Sequence, residues 1–312
     1  GDAIKAIEEV AEQVLPKGYG YDFGGLTREE SQTGSNTAII FGICIILIYL
    51  ILILLAVSYL YPLYFMGVNS LKSQAEYMKD MFSVDLLKGH FENYLIIFKN
   101  FKIGQYLFNT LLVTVLKLVF TMPLAIFASY AFAKLRFRGK NAMYPLIISA
   151  MFIPFQVIMI PVYTMLTKLH MIDTYRGLIL VTGTIGIPSS IMLLSSSFRS
   201  IPNELLEAAA IDGCGYFRKI FHIMIPMGKP AIAICTIMGF ISSWNDLLPP
   251  MVIIKSVNKR LVMPALDGLV SMYNADTPFQ LTGILIAAVP AIAIYLILSK
   301  QIIMGISAGS TK

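Results

Sequence analysis

The feature that most constrains this chain is a set of long apolar stretches with almost no charged residues. Four stretches are free of charge and the last two contain one charge each: residues 31–71, 141–167, 177–198, 277–299, 103–133 and 230–254. A helix that crosses a hydrocarbon layer about 30 Å thick needs roughly 20 apolar residues. Each stretch meets that length, so the sequence predicts six transmembrane helices.

Composition excludes an ordinary soluble domain. The chain is 57% hydrophobic and only 13% charged, whereas soluble domains carry about 25% charged residues. The net charge of +6 sits beside the apolar stretches, where cations fix topology and contact lipid headgroups. We therefore predict an all-α membrane protein that contacts the lipid membrane and no nucleic acid.

The order of polar and apolar segments predicts the domain organisation. We expect a polar acidic leader, a first transmembrane helix, an extracytoplasmic segment, a transmembrane domain and a cytoplasmic tail, at residues 1–37, 38–64, 65–103, 104–305 and 306–312. Lys134 to Lys140 holds four cations and no acid. Since short cytoplasmic loops are rich in Lys and Arg, this loop, the loop at 199–226 and both termini are predicted inside.

Two polar residues in the apolar part are candidates for a transport pathway. Lys117 lies near the middle of the second span, and Asn245 closes the fifth span in the sequence Trp-Asn-Asp. An ionisable side chain at that depth usually faces a bundle interior or a water-filled cavity. Lys117 is therefore either a pathway residue or a lysine that is paired inside the bundle or snorkels from a shifted helix.

The loop at residues 199–226, here called the coupling loop, is predicted to form two short helices separated by a turn. Ser200 is a potential N-cap, Pro202 suits a first turn, and Asp212-Gly213 ends the first helix. In the second helix the apolar residues Phe217, Ile220, Phe221 and Met224 share one face, a pattern typical of a membrane surface. From the residues alone, the loop is either a docking site for another protein or a connector on the lipid surface.

Several motifs then resemble the permease subunits of ATP-binding-cassette importers. Glu207-Ala208-Ala209, Asp212-Gly213 and Ile225-Pro226 are similar to their EAA loop, and the fuller form from Ile201 to Gly213 is similar to the carbohydrate-uptake branch, most of all the second permease of maltose-type systems. Other matching fragments are Asn109-Thr110, Ala128 to Ala133, Pro154 with Pro161, Trp244-Asn245-Asp246 and Gly305. The resemblance covers about residues 57–312.

The resemblance implies both a fold and a set of partners. The fold is that of a type I importer permease with six transmembrane helices and a cytoplasmic coupling hairpin, in a bacterial-type inner membrane. The partners are a second permease subunit, a nucleotide-binding ATPase dimer and an extracytoplasmic sugar-binding protein. The residues that would contact the ATPase are Glu204, Leu205, Leu206, Glu207, Ala208, Ala209, Asp212, Gly213 and Pro226.

The same resemblance implies a transport subunit that is not an enzyme. The sequence has no glycine-rich loop ending in Gly-Lys-Ser or Gly-Lys-Thr, so ATP and Mg²⁺ would be bound by the partner ATPase and this chain would need no cofactor. The three histidines are scattered and no His-Glu-x-x-His occurs, which argues against an intramembrane metalloenzyme. A permease for a solute other than sugar remains an alternative.

The first 56 or so residues depart from this family. The segment from Gly1 through Gly24-Gly25 and Arg28-Glu29-Glu30, followed by an apolar helix, resembles part of resistance-nodulation-division efflux pumps. In those pumps the polar part lies outside the cytoplasm, whereas the permease topology places residues 1–37 inside. The simplest hypothesis is a chimeric chain with a borrowed first span, and the alternatives are coincidence and an efflux-type transporter fragment.

Overall fold

A computed structural model describes residues 2–16, 37–83, 89–272 and 276–310. The chain divides into two compact units, residues 1–65 and 66–312. The first unit contains α1 (Asp2–Val14) and most of α2 (Thr37–Asn69). Ile4, Ile7, Ala11 and Val14 recur at helical spacing, which predicts a helix in this segment, and α1 ends two residues before Pro16. Pro16, Gly18 and Gly20 together predict the end of that helix, and the two glycines lie outside the described residues.

The second unit is built from helices and short helical turns. In chain order the helices are α3 (Gln74–Lys79), α4 (Glu92–Lys99), α5 (Ile103–Lys134), α6 (Lys140–Ser149), α7 (Phe155–Lys168), α8 (Tyr175–Arg199), α9 (Asn203–Ile211), α10 (Tyr216–Lys219), α11 (Ile225–Met227), α12 (Lys229–Trp244), α13 (Leu248–Ile253), α14 (Val262–Met272) and α15 (Thr277–Ser310). A π turn (Ile220–Met224) joins α10 to α11, and 3₁₀ turns cover Ala150–Phe152 and Val257–Lys259.

The prediction of six transmembrane spans in an all-α protein is confirmed within the described part of the chain. Helices α2, α5, α8 and α15 are each long and apolar enough to cross a membrane. The third and fifth predicted spans are bent pairs of helices, with angles of 98° and 80° at their breaks. The sixth candidate span covers Thr277–Ile297, and its helix α15 continues beyond the span to Ser310, into the segment assigned to the tail.

The break in the third span lies at Ile153-Pro154. Ile153 is extended, with φ −91° and ψ 108°, and Pro154 precedes the first residue of α7. The proline ring disfavours a helical conformation for the residue before it, and proline has no N–H to donate. The helix is therefore interrupted completely at this position.

The break in the fifth span lies at Gly228. A Cβ on this residue would stand 2.5 Å from the Phe198 ring and 2.8 Å from the Met224 carbonyl oxygen. Only glycine therefore fits between the last turn of α8 and the turn that precedes α12. This close approach places the end of the coupling loop directly against α8.

Helix α5 is at the centre of the second unit and is joined to its neighbours by buried hydroxyl groups. The Thr121 hydroxyl donates to the Gly183 carbonyl of α8 at 3.2 Å, and the Thr114 hydroxyl donates to the Ser243 hydroxyl of α12 at 3.1 Å. Such bonds satisfy polar groups that would otherwise be buried without partners. Helix α12 is joined to α15 in turn by the Trp244 indole, which donates to the Ala287 carbonyl at 3.1 Å.

At the end of α8 opposite the coupling loop, side chains hold the connection between α13 and α14. The Asn109 amide of α5 donates to the carbonyls of Asn258 and Arg260 at 2.9 and 3.0 Å. The Thr110 hydroxyl accepts from the Val262 N–H at 2.8 Å. The Asn109-Thr110 fragment therefore fixes the path of this connection from the side of α5.

Candidate functional site

The first helix of the coupling loop is α9, and it begins differently from the sequence prediction. Pro202 occupies the N-cap position without a side-chain cap, one residue earlier than the first-turn position expected for it. The Ser200 hydroxyl donates to the Ser197 carbonyl at 2.7 Å, so the prediction that Ser200 caps α9 is wrong. The reason is that α8 continues to Arg199, and Ser200 completes the end of that helix instead.

The end of α9 matches the predicted turn. Gly213 has φ +77°, a left-handed conformation that glycine adopts without a Cβ clash. The Gly213 N–H donates to the Ala210 carbonyl at 3.1 Å, and the Cys214 N–H donates to the Ala209 carbonyl at 2.8 Å. This pair of bonds is a Schellman motif, which satisfies the last carbonyls of a helix.

The two faces of α9 have opposite environments. Leu206 and Ala209 are buried, and Leu206 packs in a cluster with Tyr130, Phe198, Ile201, Ile220 and Met224. Glu204, Glu207, Ala208 and Ile211 share the other face by their spacing of three and four residues, and all four are exposed. Ile211 is the extreme case, with 88% of its surface exposed.

Ile211 was not among the residues singled out from the sequence. It lies four residues after Glu207 and seven after Glu204, and this spacing would have placed it on the same face. Ile211 adds one large apolar side chain to a face that otherwise carries two carboxylates and Ala208. The exposed face of α9 thus combines carboxylates, a small residue and an apolar tip.

The second half of the coupling loop anchors the hairpin. Ile220 and Met224 are buried in the same cluster as Leu206, as their predicted apolar face requires. Phe217 and Phe221 are more than half exposed, yet both rings contact Phe127 of α5, at 5.9 and 6.2 Å between centroids. Pro226, the last residue of the matched motif, is exposed within α11.

A second candidate site is a cavity of about 320 Å³ inside the bundle. It lies between α5, α8 and α12, with Met151 from the break in the third span. Its polar lining residues are Lys117, Thr121, Ser189, Ser190 and Ser242. Most of the lining is apolar, from methionine, leucine and glycine residues, and the hydroxyl groups lie among these around a space large enough for part of a small molecule.

Lys117 combines the two interpretations that the sequence left open. It lines the cavity, and its ammonium group lies 3.6 Å from the Asp246 carboxylate. The other pathway candidate, Asn245, is exposed, and its amide donates to the Ile241 carbonyl of its own helix at 3.0 Å. The structure thus brings Lys117 to the cavity and does not place Asn245 among its lining residues.

Asp173 is a polar residue that the sequence analysis did not select. It lies just before α8 with φ +58°, and its carboxylate accepts the N–H groups of Ser256 and Lys255 at 2.9 and 3.0 Å. It also accepts the Ser256 hydroxyl and the Lys259 ammonium. The Ser256 hydroxyl and N–H groups, followed by Lys259, hold the pKa of Asp173 well below its usual range.

The described residues contain no group of three or more His, Cys, Asp or Glu side chains that could hold a metal ion. The candidate functional features are thus the exposed face of α9 at one end of the bundle and the cavity in its middle. At the other end, the polar contacts of Asp173 fix the connection between α13 and α14.

Comparison with known proteins decides the family. Residues 121–306 match the family described as binding-protein-dependent transport system inner membrane component. The chain belongs to this family of ABC transporter permeases. A probable ABC transporter permease protein of Bacillus subtilis is 31% identical and covers 85% of this chain and 87% of its own length.

Other permeases are similar over most of the chain. The arabinooligosaccharides transport system permease of Bacillus subtilis is 29% identical over 87% of this chain and 97% of its own length. The diacetylchitobiose uptake system permease of Streptomyces coelicolor is 29% identical over 83% and 86%. A chain from a bacterial ABC transporter that imports the polysaccharide alginate has a TM-score of 0.67 and 23% identity, over 90% of this permease and 99% of that chain.

The leader together with α2 matches a different family. Residues 1–69 are similar to the AcrB/AcrD/AcrF family, in line with the efflux-pump resemblance of this segment. The match ends where α2 ends, at Asn69. The permease is a multi-pass membrane protein. Its residues 1–69 are similar to a family different from that of residues 121–306.

Proposed function

We propose that this permease is one subunit of an ATP-driven carbohydrate importer in a bacterial-type inner membrane. In this proposal it forms part of the translocation pathway with a second permease subunit, and separate ATPase subunits drive it. An extracytoplasmic binding protein delivers an oligosaccharide or a related sugar. The named substrates of the similar permeases, arabinooligosaccharides and diacetylchitobiose, support a sugar.

The observation that carries the proposal is the division of α9 into a buried and an exposed face. Leu206 anchors the helix in the cluster below it, which leaves the opposite face free along its length. Ala208 allows close approach of another protein's backbone, and Glu204 and Glu207 offer charge to a basic partner. Ile211 supplies an apolar contact at the tip. A connector that merely rests on lipid would not require carboxylates on its exposed face.

The cavity is proposed as the part of the pathway that this subunit contributes. Serine and threonine hydroxyls bind sugar hydroxyls by exchanging hydrogen bonds, and Lys117 adds a charged donor. The chain itself is then a transport subunit without catalytic residues, and ATP with Mg²⁺ is bound by the partner ATPase.

Co-purification tests the docking surface. We expect the ATPase subunits to be retained by the wild-type chain in mild detergent and lost on Glu207→Arg or Gly213→Pro. Glu92→Arg, at an exposed acid in the first turn of α4, is the matched control and is expected to retain them. Retention of the ATPase by the two coupling-loop variants would exclude α9 as the docking helix.

Uptake measurements test the substrate class. Cells that lack this chain should lose uptake of one or more radiolabelled oligosaccharides and keep normal uptake of amino acids and phosphate. Loss of a solute that is not a sugar, with every oligosaccharide unaffected, would favour the alternative of a permease for another solute.

The leader is proposed as a fused segment that does not take part in sugar movement, since the family match of the permease begins at residue 121 and the leader matches another family. A variant without residues 1–36 is expected to keep sugar uptake. If the full chain instead exports a substrate, and the truncation abolishes that export, the efflux-type interpretation replaces this one.

A further inference from the structure

Lys134 is the last residue of α5, and its ammonium group contacts three acceptors in the segment that leads into α9. It donates to the Ile201 carbonyl, to the Arg199 carbonyl at 3.4 Å and to the Asn203 side-chain oxygen at 2.8 Å. These acceptors lie 65, 67 and 69 residues further along the chain, so the contact joins segments that are distant in sequence.

The three acceptors belong to three successive parts of the chain. Arg199 is the last residue of α8, Ile201 lies in the connection, and Asn203 is the first residue of α9. Carbonyl groups at the end of a helix have no partner within it and carry partial negative charge. An ammonium group is well suited to this position, because it can donate three hydrogen bonds.

The contact is adjacent to the apolar cluster that anchors α9. Tyr130, one helical turn before Lys134 on α5, packs with Phe198 and Leu206 in that cluster. Apolar contacts have no directional preference, whereas hydrogen bonds weaken steeply when their distance or angle changes. The hydrogen bonds of Lys134 therefore add a directional link between the end of α5 and the start of α9.

Helix α5 also reaches the cavity. Lys117 and Thr121, which line it, lie on the same continuous helix as Lys134. A displacement of α9 that is passed to the end of α5 would reach the cavity wall along this helix, past Pro123.

We propose that Lys134 is a positioning residue that joins the docking helix α9 to α5 and so makes sugar movement depend on ATP hydrolysis by the partner. This inference rests on the proposed function. Transport then needs the hydrogen bonds between Lys134 of α5 and the start of α9 as well as the docking of the ATPase.

The experiment uses the intact transporter in proteoliposomes with its binding protein, and it measures sugar transported per ATP hydrolysed. Lys134→Met is expected to keep the ATPase bound and hydrolysing ATP, while this ratio falls about fivefold, as for loss of one coupling contact. Lys134→Arg is expected to restore the ratio, because a guanidinium group can donate to the same carbonyls.

Lys140→Met is the matched control. Lys140 is a neighbouring lysine whose ammonium donates to the Leu135 carbonyl at 2.9 Å, within its own loop. Its replacement removes the same charge and should leave the ratio unchanged. An unchanged ratio in Lys134→Met, or an equal fall in both variants, would overturn the proposal.

Asn203→Ala supplies an independent test, since it removes one acceptor and leaves the lysine in place. We expect a smaller fall in the same ratio, and no further fall when it is combined with Lys134→Met. Where Lys134→Met does not assemble, an unchanged ratio in Asn203→Ala overturns the inference. Failure of the wild-type chain to retain any ATPase would instead contradict the proposed function itself.

Discussion

The Lys117 ammonium group lies 3.6 Å from the Asp246 carboxylate, across 129 residues of sequence, and joins the middle of α5 to the end of α12. The two side chains are 8% and 28% exposed. In an apolar bundle a lone charge is costly, and a partner of opposite sign offsets part of that cost. The pair therefore allows Lys117 to line the cavity while its charge is balanced.

Breaking this pair is expected to destabilise the bundle. Lys117→Met leaves the Asp246 carboxylate without its cation, and removal of one partner of a buried pair costs about 3 kcal/mol or more. We expect a lower temperature of thermal denaturation for the purified permease in detergent, followed by the fluorescence of Trp244, the single tryptophan.

The double variant Lys117→Met with Asp246→Leu is the control for this interpretation. It removes both charges and should recover most of the lost stability, because two apolar side chains can replace a buried pair. Lys168→Met, at an exposed lysine at the end of α7, should change little. A single variant as stable as the wild type would show that the pair contributes nothing.

Filling the cavity should reduce transport more than ATP hydrolysis. Ser242 lines the cavity and is exposed to it, so Ser242→Trp would place an indole ring in the space proposed for the sugar. We expect uptake to fall about tenfold, equivalent to about 1.4 kcal/mol, while the ATPase remains bound. Ser149→Trp, at an exposed serine outside the cavity lining, should leave uptake unchanged.

The left-handed residue at the end of α9 gives a third prediction. Gly213→Ala requires a Cβ at φ +77°, which costs about 1 kcal/mol or more for a residue other than glycine. We expect the coupling loop to fray and ATPase retention to fall by severalfold in a pull-down titration.

Gly215→Ala is the matched control for Gly213→Ala. Gly215 has φ −71° and open space around its Cβ position, so alanine fits there without strain. Equal losses for the two variants would show that the left-handed turn is not the cause.

The apolar stretches predicted the positions of the spans well, because a continuous run of apolar residues identifies a membrane helix whatever its neighbours are. The break at Gly228 could not be predicted in this way. It depends on the approach of Phe198 from another helix, and no local pattern shows that approach. The break at Ile153-Pro154 is explained by the proline itself, whereas no local sequence pattern gives its angle of 98°.

The candidate sites were predictable to different degrees. The coupling loop has a local motif, so α9 and its turn at Gly213 could be located from sequence. Lys117 was noticeable as a lone charge, whereas its pairing with Asp246 required the helices to be placed side by side. Lys134 gave no signal at all, since it resembles every other cation in a basic loop.

The position of Asp173 gives the last prediction, which concerns pH. Hydrogen bonds from Ser256 hold the pKa of this carboxyl far below its usual value, so the charged form stabilises the connection between α13 and α14. A group whose pKa is lowered by folding contributes fully above its unfolded value, about 3.9, and the contribution is lost as the pH falls further.

Asp173→Asn isolates that charge, because asparagine also tolerates φ +58° and occupies the same volume. We expect the variant to denature at a lower temperature than the wild type, by a difference that is constant from about pH 7.5 to pH 5 and shrinks below about pH 4. Melting curves of the two proteins in the same detergent, measured at each pH, check this. A difference that disappears already near pH 6 would mean that the carboxylate is protonated in the folded protein, and Asp173 would then hold the connection without its charge.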